Sequence, residues 1–279
     1  MTEARIASLH VYPVKGCRGI APASVTVATT GFAIDGIGDR EWMVTDRAGR
    51  FLTQRELPRL ALIETAVSDG ALTLSVAHVP PLVIDRADGP LRDVVVWRSA
   101  VRGVDMGHKA ADWLSAWLAA DVRLVRFDRS DERMCNPEFA GDSGAHTFFA
   151  DGYPILVIGD ASLADLNGRL AARSLPALPM NRFRPNVVLQ GLPPYAEDHL
   201  DTIVVGDVAL RCVKPCVRCQ VTTTDQDSAQ VGPEPLRTLG EYRMSERMEG
   251  VTFGMNAVVI AGADSSLAAG ASATVDYRF

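Results

Sequence analysis

Short runs in which apolar and polar residues alternate predict a succession of β-strands over the first hundred residues. Ala7, Leu9 and Val11 share one face of the first such strand. An Asp69-Gly70 pair between two apolar runs is typical of a β-hairpin turn. Further strands are predicted at 25–27, 42–45, 51–53, 60–67, 72–76, 82–85 and 94–97. Many short strands at this spacing indicate a β-barrel or a β-sandwich.

A change of period predicts the first helix at 109–118. The apolar side chains of Ala110 and Leu114 recur there on one helical face. Two domains are the better expectation for a chain of 279 residues. We therefore expect the boundary to lie near this helix, with one domain at 1–120 and a second at 121–279.

The second half of the chain is predicted to be β-rich as well, with two further helices. Strands are expected at 155–158, 187–189, 203–205, 208–213, 221–224, 251–260 and 273–277. One helix begins at a variant of a capping box formed by Asp160, Ser162 and Asp165, and a shorter helix is expected at 235–243. Residues 128–144 are polar and aperiodic, which predicts a long loop. The predicted fold class is mainly β with a few helices (α+β).

The composition excludes two classes of partner. The chain has 28 Lys and Arg residues against 34 Asp and Glu residues, a formal charge of −6. It therefore lacks the basic surface that a general nucleic-acid binder needs. No apolar run approaches the roughly 18 residues that span a bilayer, and the N-terminus has no signal-peptide pattern. We expect a soluble cytoplasmic protein with no nucleic-acid partner and no membrane partner.

Five cysteines are the main candidates for chemistry: Cys17, Cys135, Cys212, Cys216 and Cys219. An odd number without a signal peptide predicts reduced thiols. The last three match the spacing of a radical S-adenosylmethionine iron–sulfur motif, but they lie late in a β-rich chain. A zinc site lacks a second ligand pair, and simple burial of small thiols is a third interpretation. Lys214 and Arg218 beside Cys219 would stabilise a thiolate, which attacks electrophiles or binds soft metals.

Several motifs, taken in order, resemble one known family. The second half contains FADGYP (149–154), ASLADLN (161–167), NRFRPNVV (181–188), PCVRCQVTTTD (215–225), EPLRTLGEYR (234–243) and FGMN (253–256), which resemble a MOSC domain. The first half contains YPVKGCRG (12–19) and DREWMVTDRAGRFLTQRELPRLALI (39–63), which resemble that family's N-terminal β-barrel domain. The chain is therefore identified as a member of the MOSC-domain molybdenum-cofactor reductases, with an N-terminal β-barrel-like domain followed by a MOSC β-barrel domain.

The resemblance implies an oxidoreductase similar to the mitochondrial amidoxime-reducing component and its bacterial relatives. Such an enzyme uses a molybdenum–molybdopterin cofactor (Moco) and no pyridoxal phosphate. It reduces small N-hydroxylated substrates, namely amidoximes, hydroxylamines and N-hydroxylated bases, to amines or amidines. By position in the motif, Cys219 is the catalytic residue and the thiolate ligand of the metal, whereas Cys216 is not a ligand. The further cofactor contacts implied are Lys15, Gly16, Arg40, Asp151, Gly152, Tyr153, Arg184, Asn186, Arg218 and Asn256.

The residue types suit these roles. Paired cations, guanidinium groups above all, suit the pterin phosphate, and the Asn186 amide is expected to read the pterin edge. Two neighbours are open to simpler interpretations: Arg182 as a solvated neighbour of Arg184, and Asp39 as a residue that only orients Arg40. Thr222 to Thr224 can be explained as strand formers alone.

The chain departs from the family pattern at several points. Gly16 stands where the family often has serine, and Asp227-Ser228-Ala229 replaces the usual turn after the threonine run. From the sequence we expect neither the membrane anchor of the mitochondrial members nor a ferredoxin-like extension. We therefore expect a separate electron-donor protein of the ferredoxin, flavoprotein or cytochrome type.

Two alternative functions follow from the same residues. MOSC domains also occur in cofactor sulfurases, so a Cys219 persulfide could make the protein a sulfur carrier or sulfurtransferase. The third interpretation is a cofactor carrier without catalysis.

Overall fold

Strands far outnumber helices in the computed structural model, which describes residues 2–86 and 88–278. The strands are β1 (Thr2–Leu9), β2 (Ser24–Ala28), β3 (Gly31–Ile34), β4 (Ile37–Gly38), β5 (Trp42–Thr45), β6 (Glu64–Ser68), β7 (Ala71–Val76), β8 (Val79–Ile84), β9 (Leu91–Val96), β10 (Ser99–Asp105), β11 (Arg123–Phe127), β12 (Ile155–Gly159), β13 (Val187–Gln190), β14 (Leu200–Val205), β15 (Val208–Val217), β16 (Met244–Ser245), β17 (Gly250–Ala261), β18 (Ser266–Ala268) and β19 (Ser272–Tyr277). The α-helices are α1 (Gly107–Leu118), α2 (Pro137–Ala140), α3 (Asp160–Ala171) and α4 (Leu236–Gly240). The predicted fold class, mainly β with a few helices, is confirmed.

A closed barrel of seven strands contains both the first and the last strand of the chain. Its strand order is β12-β13-β1-β19-β14-β15-β17, and pairing between β12 and β17 closes it. The N-terminal strand β1 lies between β13 and β19 and pairs antiparallel with both. Ile6, Leu9, Val187, Leu210 and Val275 belong to one buried cluster that fills the interior. The first strand of the chain is thus part of the same barrel as the C-terminal strands.

The segment between β1 and β12 contributes strands to three further sheets. One sheet has the order β5-β11-β10-β9, another has the order β6-β7-β8, and the third pairs β2, β3 and β4 with the late strand β18 in the order β18-β2-β3-β4. The helix predicted at 109–118 is confirmed as α1, because Ala110 and Leu114 turn inward. They pack in the same buried cluster as Trp42 and Leu74. Within the described residues, no helix has the length and apolarity needed to cross a bilayer.

The hairpin predicted at Asp69-Gly70 is confirmed. Both residues have left-handed φ angles, 52° and 75°, as a two-residue turn between β6 and β7 requires.

The strand predicted at 60–67 is wrong in its first half. Pro58–Leu62 forms a 3-10 helix, which proline at its first turn favours, and β6 begins only at Glu64.

The strand predicted at 221–224 is wrong. Gln220–Thr223 forms a 3-10 helix. The Thr222 hydroxyl donates to the carbonyl of Cys219 at 2.9 Å, and the Thr223 hydroxyl donates to the carbonyl of Gln220 at 2.8 Å. These local side-chain bonds offer the backbone an alternative to a sheet ladder, so β-branched residues here do not make a strand.

Two other local predictions fail in part. Helix α3 begins after Gly159 with no side-chain cap, because the Ser162 hydroxyl instead donates to buried Glu197 at 2.7 Å. The loop predicted at 128–144 contains the short helix α2, whose N-cap Asn136 accepts a bond from the Glu138 N–H at 3.0 Å.

A buried carboxylate anchors the chain just before β5. Glu41 is inaccessible to water, and its oxygens accept bonds from Arg129 at 2.8 and 3.0 Å and from Arg86 at 3.2 Å. The Gly38 N–H adds a fourth bond at 2.8 Å. Both guanidinium groups also donate to the carbonyl of Gly36. The network therefore ties three separate segments to one carboxylate.

We expect Glu41→Gln to lower the free energy of unfolding by about 3 kcal/mol, near the lower end for breaking a buried ion pair, because Arg129 keeps contact with solvent. Equilibrium unfolding in urea measures the change. The matched control is Asp121→Asn, which removes the carboxylate from the exposed Arg47–Asp121 pair and should cost less than about 1 kcal/mol. Equal decreases in the free energy of unfolding of the two variants would show that the buried Glu41 network stabilises the protein no more than an exposed ion pair does.

Glu197 is a second buried carboxyl group, but no cationic side chain among residues 2–86 and 88–278 donates a hydrogen bond to it. Burial raises the pKa of Glu197, although the Gly159 N–H and the Ser162 hydroxyl donate to it at 3.0 and 2.7 Å. The folded protein therefore holds this proton above the unfolded pKa of about 4.3. Its contribution to stability is complete below that value and is lost as pH rises through the folded pKa.

Glu197→Gln should remove this pH dependence, because the amide cannot ionise. We expect the free energy of unfolding of the variant, relative to the unsubstituted protein, to increase with pH above about 4.3 and then to level off. Urea unfolding at half-unit steps from pH 4 to pH 8 measures the difference. A difference that stays constant across this range would show that Glu197 does not titrate as assigned.

Candidate functional site

One cleft collects the sequence-predicted site residues from both halves of the chain. Those lining it are Lys15, Gly16, Arg40, Asp151, Gly152, Tyr153, Arg184, Asn186, Arg218, Cys219 and Asn256, which is the whole predicted set. Thr53, Gln54, Arg55, Trp97, Phe183, Cys216 and Thr222 also line it. The structure thus brings the predicted residues together, while their roles as cofactor contacts stay predictions.

Two guanidinium groups pack against one tyrosine ring in the cleft wall. The guanidinium carbon of Arg40 lies 4.4 Å from the ring centroid of Tyr12, and that of Arg184 lies 4.3 Å from it. Both arginines have left-handed φ angles, 50° and 55°, which non-glycine residues seldom adopt. Burial raises the pKa of Tyr12 to about 12, so the ring stays neutral between the two cations.

The buried carboxylate of Asp39 orients Arg40. Asp39 Oδ2 accepts a bond from Arg40 Nη1, and its Oδ1 accepts bonds from the Tyr12 N–H at 2.8 Å and from the Asn186 amide at 3.0 Å. Arg40 also donates to the Arg184 carbonyl at 3.2 Å. The simpler interpretation of Asp39, as the residue that orients Arg40, agrees with these bonds.

The Asn186 amide uses its full hydrogen-bonding capacity within the protein. Its nitrogen donates to the His10 carbonyl and to Asp39, and its oxygen accepts from Arg40 and from the Leu156 N–H, all at 3.0 to 3.1 Å. The expectation that this amide reads a pterin edge does not fit these bonds, because no donor is left over. Asn186 instead couples Arg40 to the barrel.

Another part of the wall is held by polar contacts of Asp151 with Lys15 and Trp97. Lys15 Nζ lies 2.5 Å from Asp151 Oδ1, and the Trp97 indole N–H donates to the same oxygen at 3.0 Å. Burial by itself would raise the pKa of Asp151, but the Lys15 ammonium holds that pKa well below its usual range. Burial lowers the pKa of Lys15, and Asp151 opposes that shift.

Arg133 holds the backbone that carries Asp151. Its guanidinium group is buried and donates to the carbonyls of Phe148, Ala150 and Asp151 at 3.0, 2.5 and 2.9 Å. Gly152 and Tyr153 follow in this loop, and burial raises the pKa of Tyr153 to about 12. The segment predicted to be a long loop therefore positions a cleft wall.

The cysteine motif lies at the end of β15. Arg218 donates to Cys216 Sγ at 2.9 Å and to the Phe183 carbonyl at 2.6 Å. Cys219 is half-buried, precedes the 3-10 helix and faces the cleft. Cys212 is fully buried in the barrel core, in agreement with the simple-burial interpretation. Cys219 thus lines the cleft, while the preceding residue, Arg218, donates to Cys216.

Backbone conformation and strand pairing determine the positions of two further predicted residues, Gly16 and Asn256. Gly16 has a φ of 86°, and its carbonyl accepts a bond from Gln54 at 2.6 Å. A serine at this position would be strained, which fits the glycine found here. Asn256 lies on β17, paired with Leu156 and Lys214, and donates to the Lys214 carbonyl at 3.3 Å.

Arg182 is not a solvated neighbour of Arg184. Its side chain is buried and pairs with Asp225 at 2.9 Å. Asp225 in turn accepts bonds from the N–H groups of Asp227 and Ser228 at 3.0 and 2.8 Å. The turn that departs from the family pattern is therefore closed by Asp225 and tied to Arg182.

The lining of the cleft fits an anionic cofactor. Lys15, Arg40, Arg55, Arg184 and Arg218 face it, and Asp151 is the carboxylate among its lining residues. Within the described residues, Arg184 Nη2 and Arg218 Nε are buried and have no hydrogen-bond partner. A phosphate group would supply acceptors for such nitrogens.

The chain itself offers little else to bind a metal. No group of three His, Cys, Asp or Glu side chains suited to a metal ion occurs among residues 2–86 and 88–278. Cys216 and Cys219 are the thiols among the residues that line the cleft, so a metal held here would need most of its ligands from an organic group. This donor set fits a pterin-bound metal.

Several residues that line the cleft or support its wall escaped sequence reasoning. Tyr12 lies within the YPVKGCRG motif, so a signal for it was present. Trp97 and Arg133 lie outside every motif, and only their tertiary contacts reveal them. Gln54 and Gln226 exchange amide bonds at 2.9 and 3.0 Å across 172 positions of sequence, which no local pattern indicates.

Comparison with known proteins is consistent with this geometry. The model of the MOSC N-terminal beta barrel domain matches residues 3–121, and the model of the MOSC domain matches residues 145–273. Mitochondrial amidoxime-reducing component 1 of Mus musculus is 36% identical over 259 residues, covering 89% of this chain and 74% of that protein. The Homo sapiens protein of the same name is 34% identical over 258 residues, covering 89% and 75%.

A third relative has a related name. Mitochondrial amidoxime reducing component 2 of Bos taurus is 31% identical over 251 residues, covering 88% of this chain and 74% of that protein. These similarities extend over both domains and most of each relative. The chain therefore belongs to the family of MOSC-domain proteins that includes the mitochondrial amidoxime-reducing components.

Proposed function

We propose that this protein is a molybdenum-cofactor-dependent oxidoreductase that reduces N-hydroxylated compounds, such as amidoximes, hydroxylamines and N-hydroxylated bases, to amidines and amines. The observation that carries the proposal is the meeting of Cys219 with Lys15, Arg40 and Arg184 in one cleft. The names of the relatives support an N-reductive reaction. The cationic lining supports an anionic cofactor.

The residues divide between holding the pterin and holding the metal. Arg184 has a free buried nitrogen for a phosphate oxygen, and Arg40 presents a guanidinium group already fixed by Asp39. Cys219 supplies the thiolate ligand. When bound, the cofactor supplies the two-electron redox chemistry that cleaves an N–O bond.

The chain itself contributes orientation and a proton source. Lys15 Nζ carries protons beside Asp151 Oδ1 within the cleft, and its pKa, lowered by burial, favours proton release. Removal of oxygen as water consumes protons, so a cation at this place suits the reaction. Electrons come from a separate donor protein of the ferredoxin, flavoprotein or cytochrome type.

Cys219→Ala should abolish amidoxime reduction and lower bound molybdenum to background, because one thiolate is the protein's contribution to the metal. The fold should persist, since Cys219 is half-buried at the cleft. Molybdenum and pterin content, turnover and the thermal midpoint are measured together. The matched control is Cys212→Ala, which removes a thiol from β15, the strand that precedes Cys219, and from the barrel core.

Three outcomes would overturn this proposal. Retained turnover in Cys219→Ala would exclude the ligand role. Unsubstituted protein that carries labile sulfur on Cys219, and no molybdenum, would favour sulfur transfer instead. Bound cofactor without turnover would favour the carrier function.

Arg184→Met should have opposite effects on cofactor retention and on the stability of the cofactor-free protein. Burial lowers the pKa of Arg184 to about 10, so the side chain is still charged at neutral pH. Losing a charge-assisted phosphate contact should weaken cofactor retention roughly ten- to a hundredfold. Removing a buried cation should leave the cofactor-free protein as stable or more stable. Cofactor content tests the first effect, and urea unfolding of the cofactor-free protein tests the second. A destabilised variant that keeps its full cofactor content would contradict both expectations.

A further inference from the structure

Gln54 and Gln226 form a buried pair that joins the two halves of the chain. Gln54 is inaccessible to water, and Gln226 is 3% exposed. Gln54 Nε2 donates to Gln226 Oε1 at 3.0 Å, and Gln226 Nε2 donates to Gln54 Oε1 at 2.9 Å. Each amide therefore both donates to the other and accepts from it, which fixes their relative orientation. We call these two residues the glutamine pair.

One end of the glutamine pair is attached to the cationic part of the cleft wall. Gln54 Nε2 donates its second hydrogen to the carbonyl of Gly16 at 2.6 Å. The backbone just before Gly16 is bonded to the segment that carries Arg40, because the Arg40 N–H donates to the Tyr12 carbonyl at 2.6 Å. Gln54 is therefore connected to Arg40 through a short stretch of backbone, and Lys15 lies within that stretch.

The other end is attached to the residues that follow Cys219. Gln226 Nε2 donates its second hydrogen to the Thr224 carbonyl at 2.9 Å. The Thr224 N–H donates to the Val221 carbonyl at 3.2 Å, within the 3-10 helix that begins directly after Cys219. The Thr222 hydroxyl donates to the Cys219 carbonyl at 2.9 Å. A short succession of hydrogen bonds thus connects the Gln226 amide to the residue that carries the thiol.

The glutamine pair connects the two sides of the cleft without adding charge. Each amide nitrogen has two hydrogens, and all four hydrogens are donated within the protein. The pair therefore supports the wall, and its donors are not available to a ligand. A buried ion pair in its place would carry a desolvation cost and add charges beside the arginines, whereas two neutral amides leave the positive potential of the cleft unchanged. Removing either amide leaves buried polar atoms without a partner.

We propose that the glutamine pair sets the separation between the Cys219 thiol and the cations Lys15 and Arg40. A ligand that is bound at one end by its phosphate and at the other by its metal makes both contacts at once only if this separation matches its length. The inference rests on the proposed function and deepens it by naming what sets the spacing. Gln54 and Gln226 are positioning residues, because they act through the segments that they connect.

Hydrogen–deuterium exchange on the cofactor-free protein tests the connection by itself. Gln226→Met removes the amide and three hydrogen bonds. We expect exchange in the peptide that covers Thr222 and Thr224 to become roughly ten- to a hundredfold faster. The matched control is Gln230→Met, which removes an exposed glutamine from the same loop and should leave that rate unchanged. Equal exchange rates in the two variants would show that the loop does not depend on the pair, and would overturn the inference.

Retention of the cofactor tests the positioning role. The loaded protein is diluted, and the molybdenum that stays bound is followed over time. We expect Gln54→Met and Gln226→Met each to release the cofactor roughly tenfold faster. The double variant should release it no faster than the faster single variant, because one connection is broken in all three. Effects that multiply in the double variant would mean that the two glutamines act independently, which contradicts the proposal.

The electron paramagnetic resonance spectrum of the partly reduced metal separates positioning from simple stabilisation. This spectrum depends on how the ligands are oriented, so Gln226→Met should broaden it and Gln230→Met should not. Faster exchange together with unchanged retention and an unchanged spectrum would mean that the pair only stabilises the loop, and the inference would be wrong while the proposed function stands. Unsubstituted protein that retains no molybdenum would overturn the proposed function, and the positioning role with it.

Discussion

The buried carboxylate of Asp39 is the interaction on which the cleft depends. Two guanidinium groups, from Arg40 and Arg184, lie within 4.4 Å of the Tyr12 ring centroid, where water is largely excluded. Such a concentration of like charge is unfavourable unless an anion compensates it. Asp39 supplies that charge and also binds the Tyr12 backbone and the Asn186 amide. The cationic wall is therefore formed before any ligand arrives.

The closure of the barrel makes this arrangement possible. Because β1 lies between β13 and β19, the segment that follows β1 emerges beside the segment that precedes β13. Asn186 bonds to the His10 carbonyl at that junction. Residues more than 140 positions apart thus meet through backbone pairing, and the cleft inherits the rigidity of the sheet. The loop held by Arg133 then adds another part of the wall, at Asp151.

Local patterns predicted most of the regular elements and failed where side chains competed with the backbone. The Asp69-Gly70 turn and α1 follow from turn chemistry and helical periodicity. The threonine run after Cys219 has strand propensity, but its hydroxyls bond to nearby carbonyls and stabilise a 3-10 helix. Ser162 has cap chemistry, yet Glu197 takes its hydroxyl. Each failure reflects a partner that a sequence window does not contain.

The sequence by itself determined the family, the fold class and the set of residues gathered at the cleft, because these are carried by residue types in ordered motifs. Only the tertiary structure decided what each side chain does there. It buried Arg182 against Asp225 and used up the Asn186 amide inside the wall. It also left Arg184 Nη2 unsatisfied and set Trp97 in the cleft wall. The reason is physical: burial, hydrogen-bond partners and charge compensation depend on atoms brought together from distant segments, and no local pattern encodes them.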